Sequence, residues 1–208
     1  MLTSASLSVR PYTEADIPFR YALLQDQAAE TNLQPILKII TKDEFFEAER
    51  AHLAQGCVSR PTFVVQTAHG KAVAVAWVSP IDWQHRFGDV ALIVAPRYRV
   101  GYGSLVVIAV QQLLFEEYNL EVAVSQVYSG NSMMQNGNAV LQRRQVTLVD
   151  EIWQGGEFWS AYLWTTTRAQ FEQEWGRVFA RDRALARAGL TRPVPSAWEA
   201  EPVLDGPR

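Results

Sequence analysis

The run Leu105 to Tyr118 is apolar around most of its circumference, and it follows a strand-like run, Asp89 to Val94, across a short segment that carries Gly101 and Gly103. A helix of that kind has no face to give to water, so it must be covered on several sides. The chain therefore needs layers: a sheet against the helix and further elements around it. Length allows this, because 208 residues can bury a full hydrophobic core in one domain.

The flanking sequence supplies the layers. Leu7 and Val9 alternate before Pro11, and Thr13-Glu14-Ala15-Asp16 opens a helix predicted over Asp16 to Ala29, with Pro18 in its first turn. Thr41-Lys42-Asp43-Glu44 has the order of a capping box and starts a second helix that Gly56 ends. From Thr62 the period becomes two, so Phe63 to Val65, the turn at His69-Gly70 and Ala72 to Val78 form a β-hairpin. Leu120 to Val127 is a further strand, Ala139 to Arg144 a short helix, and Val146 to Trp153 with Glu157 to Thr166 a last hairpin turning at Gly155-Gly156. This order predicts an α/β (α+β) fold, with a mixed, mostly antiparallel central sheet of about seven strands and helices on both faces. Residues 168–188 read as an amphipathic helix, with Phe171, Trp175, Val178, Phe179 and Leu185 on one stripe that packs on the domain or forms a homodimer seam. Residues 189–208 hold four prolines and read as an extended tail.

Charge and cysteine content narrow the function. With 22 acidic and 19 basic side chains there is no positive excess to neutralise phosphates, so general nucleic-acid binding is not expected. Cys57 is the one cysteine, which forbids an intrachain disulfide, and no cluster of zinc-ligand type or other metal site is present in the sequence. The longest apolar stretch, Leu105 to Val110, is far short of the ~20 residues that span a bilayer. No membrane association is expected, and the compartment expected is the cytoplasm.

The join between the central strand and the apolar helix reads Val94-Ala95-Pro96-Arg97-Tyr98-Arg99-Val100-Gly101-Tyr102-Gly103-Ser104. Two glycines at alternate positions let a ligand approach the backbone, and the first N–H groups of a helix lack internal acceptors, so the spot suits a diphosphate. Arg97 and Arg99 add positive charge there. With the order of elements, this segment resembles the phosphate-binding turn of the GNAT N-acetyltransferase superfamily, which reads R/Q-x-x-G-x-G/A. The resemblance covers roughly Leu7 to Thr166, and residues 1–167 would form the acetyltransferase domain, with the acyl-CoA N-acyltransferase fold. Within the superfamily it is similar to the ribosomal-protein alanine acetyltransferase branch, through Leu7-Ser8-Val9-Arg10-Pro11 with Asp16, Thr41-Lys42-Asp43-Glu44-Phe45, and Phe87-Gly88-Asp89-Val90-Ala91-Leu92-Ile93-Val94. Two departures stand out: Tyr98 occupies the motif's Arg or Gln place with Arg99 one step later, and the turn from Pro96 to Gly101 is one residue shorter.

The resemblance implies acetyl-CoA as cofactor and acetyl transfer to a primary amine in a ternary complex. The acceptor would be a protein N-terminus or a small-molecule amine. It further implies that the backbone of Leu92, Ile93 and Val94 meets the pantetheine, that Val100, Gly101, Tyr102, Gly103 and Ser104 meet the diphosphate, and that an Asn beyond the next strand, either Asn131 or Asn136, contacts the cofactor. For the base, Asp89 at the start of the central strand comes first, followed by Glu151 with Asp150, and then His85, since imidazole titrates near neutrality. The acid that relatives place on the next helix is missing, as Met134 or Ala139 and Asn138 or Arg143 hold those places; Tyr128 and Ser129 are the nearest substitutes. Trp83 and Trp153, with His85, are expected to wall the acceptor pocket. The alternatives are a non-catalytic domain of this kind that binds coenzyme A and an interaction module.

Overall fold

The computed structural model of the chain describes residues 2–4, 7–26, 40–129, 131, 145–154 and 156–176. Among the described residues eight strands form a single sheet: β1 (Leu2–Ser4), β2 (Leu7–Pro11), β3 (Thr62–Thr67), β4 (Ala72–Asp82), β5 (Phe87–Val94), β6 (Val122–Tyr128), β7 (Gln145–Gln154) and β8 (Glu157–Thr167), in the order β1-β2-β3-β4-β5-β6-β8-β7. The mixed, mostly antiparallel sheet stands as expected, with β1 as one short strand beyond the seven. Every neighbouring pair is antiparallel except β5 with β6. A parallel pair needs a crossover, and helix α3 (Arg99–Glu116) provides it.

Among the described residues two helices lie before that crossover, α1 (Ile17–Leu24) and α2 (Lys42–Ala54). The capping box read at Thr41 is formed: the Glu44 carboxylate accepts from the Thr41 N–H at 2.6 Å, and the Glu44 N–H donates to Thr41 Oγ1 at 3.3 Å. Gly56 ends α2 with φ of +71°. A further helix, α4, begins at Arg168 and is described over 168–176; Phe171 lies 5.2 Å ring to ring from Phe115, and Trp175 packs on the same core, so this part of the stripe is covered by its own domain. The predicted helix over Ala139 to Arg144, the remainder of 168–188 and the tail lie outside the described residues.

Alternation along the strands sorts the core into two layers. Val90 and Val94 face the α3 side with Val106, Val110 and Leu114, while Ile93 and Ala95 face the side of α1 and α2 with Leu23, Phe45 and Val75. The second layer contains charge: the Arg20 guanidinium donates to Glu49 at 2.8 Å with both side chains almost fully buried, and Arg60 donates to the other Glu49 oxygen at 2.8 Å. Among the described residues no helix is long and apolar enough to cross a membrane, and no group of three or more His, Cys, Asp or Glu could hold a metal ion.

The helix expected from the apolar run Leu105 to Tyr118 begins earlier. Pro96 to Tyr98 form a 3-10 turn that runs straight into α3 at Arg99. Proline fixes φ near the helical value at the head of such a turn, so the segment read as a loop is the first helical turn itself.

Candidate functional site

β5 and β6 pair over a short length only, with Phe87 opposite Val122, Gly88 opposite Ala123 and Asp89 opposite Val124. Beyond Asp89 they part. β5 continues along β4 to Val94 opposite Ala74, and β6 continues along β8 to Tyr128 opposite Ala161. The result is a V-shaped gap in the sheet, closed at Asp89 and open at the Val94 and Tyr128 ends.

The hydrogen-bonding rhythm of β5 shows what lines the gap. The Ala95 N–H donates to the Val73 carbonyl at 2.8 Å, so Ala95 turns its polar backbone groups toward β4. In an antiparallel ladder that orientation alternates, so Ala91 and Ile93 also turn toward β4, whereas Leu92 and Val94 turn theirs into the gap. Ile93 therefore leaves the predicted backbone edge: its amide and carbonyl serve the ladder, and its side chain is buried against α1 and α2. Leu92 and Val94 remain.

At the open end, α3 points its N-terminus at the gap. The N–H groups of Tyr98 and Arg99 donate to the carbonyls of Ala95 and Pro96, and the amides of Val100 and Gly101 follow in the same N-terminal turns. Gly103 is the informative residue. Among the described residues a methyl group built on its Cα would meet nothing within 4 Å, yet glycine inside a helix costs about 1 kcal/mol relative to alanine. No described neighbour asks for glycine at 103, and the space beside this turn is open to a ligand. Ser104 beside it is exposed. Leu92, Val94, Gly103 and the α3 N-terminus thus fit a pantetheine arm and a diphosphate.

The two arginines behave differently. Arg97 is exposed, with its guanidinium 4.7 Å over the Tyr98 ring. Arg99 turns back: its Nε donates to the Val94 carbonyl at 3.2 Å, and its other nitrogen pairs with the Asp26 carboxylate just past α1. Arg99 thus has partners within the protein at the place where a cation for the diphosphate was expected. Tyr98, which holds the motif's Arg or Gln place, packs on both core layers and lies 5.3 Å ring to ring from Tyr102. Packing explains that departure.

The three proposed proton-transfer groups converge. Asp89, at the vertex, faces the α1 and α2 side; burial raises its pKa above the ordinary carboxylate value, opposed by a hydrogen bond from the Val90 N–H. Tyr128 projects from the same face of β6. Burial raises the pKa of its phenol, and the charges of Glu151 and Asp89 raise it further, so both carboxylates lie within electrostatic reach of one hydroxyl. Glu151 is exposed on β7 in a bulge between Leu148 and Ile152, where Asp150 takes a φ of +52°. Spacing along β7 gives no sign of this bulge, which sets the direction of Glu151.

Trp153 and Phe158 face each other at 4.9 Å on the β7–β8 hairpin, at the open end of the gap, and both are largely exposed. Asn131 follows Tyr128, its N–H donating to the Tyr128 carbonyl at 2.9 Å; Asn136 lies outside the described residues. Trp83 and His85 do not join them. They sit in the turn between β4 and β5, about 23 Å along β5 from Val94, at the closed end of the gap. Trp83 stacks on Tyr118 at 6.2 Å, and His85 Nδ1 lies 2.8 Å from the Asp82 carboxylate. The turn that seemed adjacent to the central strand in sequence is at its wrong end in space.

Comparison with known proteins gives a consistent picture. A family described as Acetyltransferase (GNAT) domain matches residues 6–137. No curated protein matches the sequence. Among solved structures the chain is similar to spermidine N-acetyltransferase from Vibrio cholerae in complex with CoA and spermine, with 17% identity, a TM-score of 0.71, and 81% of this chain and 99% of that chain covered. It is also similar to a chimera of spermidine N-acetyltransferase SpeG from Vibrio cholerae and hSSAT, with 19% identity, a TM-score of 0.70, and coverage of 79% of this chain and 97% of that chain. At these identities the likeness is one of fold.

Proposed function

The chain belongs to the GNAT acetyltransferase family and is an acetyl-CoA-dependent N-acetyltransferase, and from that premise we propose that its acceptor is a small, positively charged primary amine that meets the acetyl group in the gap between β5 and β6. The observation that carries this reading is the gap itself: backbone donors on one wall, a half-buried carboxylate at its vertex and a phenol on the other wall.

Acetyl-CoA supplies the acetyl thioester. The α3 N-terminus, Gly103 and the exposed Arg97 hold the diphosphate, and the gap-facing backbone of Leu92 and Val94 binds the pantetheine arm and polarises the thioester carbonyl. Asp89 takes a proton from the acceptor ammonium, directly or through water, and leaves the nitrogen lone pair for attack; its raised pKa makes it a stronger base than an exposed aspartate. As the C–N bond forms and the C–S bond breaks, Tyr128 gives its proton to the departing sulfur and is reprotonated, directly or through water, by the second proton that the acylated nitrogen loses. The upward pKa shift keeps that phenol protonated at neutral pH. Asn131 is the described candidate for a polar contact to the cofactor. Glu151, with Asp150 and Glu157 nearby in sequence and Trp153 at the mouth, favours a cation, and the structural relative in complex with spermine fits that acceptor class.

A protein N-terminal amine, implied by the branch that the Phe87 to Val94 strand resembles, is the second reading; the exposed Trp153–Phe158 pair offers a surface for a peptide. Release of coenzyme A thiol from acetyl-CoA, measured across a panel of polyamines and N-terminal peptides, decides. The expected result is turnover with polyamines at least about tenfold above peptides in kcat/KM. Turnover with peptides alone contradicts the small-amine reading, and cofactor binding without any thiol release contradicts catalysis.

A further inference from the structure

Asp26 and Arg99 are each at an electrostatically unfavourable end of a helix. Asp26 lies just past the C-terminus of α1, where its N–H donates to the Leu23 carbonyl at 3.3 Å and where the helix dipole opposes a carboxylate. Arg99 is the first residue of α3, where the dipole opposes a cation. They are 73 residues apart in sequence and meet as an ion pair in which the Asp26 side chain is 25% and the Arg99 side chain 17% exposed. Pairing removes both mismatches at once. The same guanidinium also donates to the carbonyl of Val94, the last residue of β5 and one of the two whose backbone faces the gap. One side chain thus ties the end of α1, the end of β5 and the start of α3.

We propose that Arg99 is a positioning residue: it latches α1 to the lip of the gap and fixes the Val94 carbonyl, so that acceptor and thioester meet in register, and it is not itself a ligand of the diphosphate. This rests on the acetyltransferase reading of the gap. Arg97, exposed one residue from the turn's apex, is left as the cation the cofactor meets.

The test is a double-mutant cycle on the full chain with Asp26→Ala, Arg99→Ala and both, plus the exchange Asp26→Arg with Arg99→Asp. Coenzyme A affinity is read by calorimetry, acceptor KM and kcat by thiol release, and stability by thermal unfolding. The latch predicts that each single variant changes acceptor kcat/KM by about tenfold with coenzyme A affinity held within about twofold, that the double variant is no worse than either single one, and that the exchange recovers most of the loss. If Arg99→Ala weakens coenzyme A binding tenfold or more while Asp26→Ala does not, Arg99 is a diphosphate ligand and the latch is wrong. If the wild-type chain binds no coenzyme A, the acetyltransferase reading fails, and the coupling of the two sites in thermal unfolding still decides the latch: additive effects there overturn it.

Discussion

Asp89 occupies the vertex of the gap, and burial holds its carboxyl in the protonated form to a higher pH than an exposed aspartate. As a base it must be ionised, so kcat/KM falls as pH drops through that raised pKa, and Asp89→Asn removes this acidic limb and lowers kcat by about 10²–10⁴-fold. Stability has the opposite sign. A carboxyl whose folded pKa is raised stabilises the fold while protonated and loses that contribution as pH rises, so Asp89→Asn, which mimics the protonated form, is at least as stable as wild type at pH 8 by thermal unfolding. A purely structural Asp89 would give the reverse pattern, a less stable variant with an unchanged pH profile. At this scale the sequence indicated Asp89 through family position, Glu151 as a second choice of base and Tyr128 as a nearby substitute acid, and in the fold both carboxylates lie within electrostatic reach of the Tyr128 hydroxyl. Trp83, His85 and Ile93 were misplaced because adjacency along the chain shows neither which end of a strand carries the gap nor which edge a backbone group faces. Asp26 carried no local signal, since its partner is 73 residues away.

Among the elements, β5 sets the geometry, and Gly88 is the residue that lets it pair on both sides before the gap opens. A Cβ at position 88 would lie 2.7 Å from Val78 Cγ1 and 3.1 Å from Leu120 Cδ1, with Val78 and Leu120 both fully buried. Gly88→Ala is therefore expected to destabilise the protein by roughly 1–3 kcal/mol through overpacking, seen as a lower denaturant midpoint. An unchanged midpoint would mean that the closed end of the gap is looser than described. Strand and helix identities were mostly legible, because periods of two and 3.6 alternate cleanly, and because Thr41, Gly56 and His69-Gly70 mark boundaries by backbone chemistry that does not depend on the remainder of the fold. The start of α3 was not: Gly101 and Gly103 resemble a loop, and Pro96 followed by a 3-10 turn carries the helix back to Arg99. The β7 bulge that aims Glu151 was hidden for a similar reason, since an extra residue in one strand shows only against its partner.

For the whole molecule, the all-round apolar helix demanded layers on several sides, and that demand was met by β2 to β6 beneath α3 and by Phe171 of α4 beside it. A sheet closed at Asp89 and open at Val94 then leaves backbone groups and a helix N-terminus directed at one place, beside the short glycine segment where the cofactor site is proposed. Gly103 separates what the fold needs from what the ligand needs. Among the described residues the space off its Cα is open, so Gly103→Leu should raise the thermal stability of the free protein, by about 0.8 kcal/mol from helix propensity, while its side chain fills the proposed diphosphate site. Calorimetric titration of Gly103→Leu with coenzyme A, run beside thermal unfolding of the same sample, is predicted to show an intact or stabilised fold with affinity reduced by at least about tenfold. A stable variant that binds coenzyme A as tightly as wild type would contradict the account.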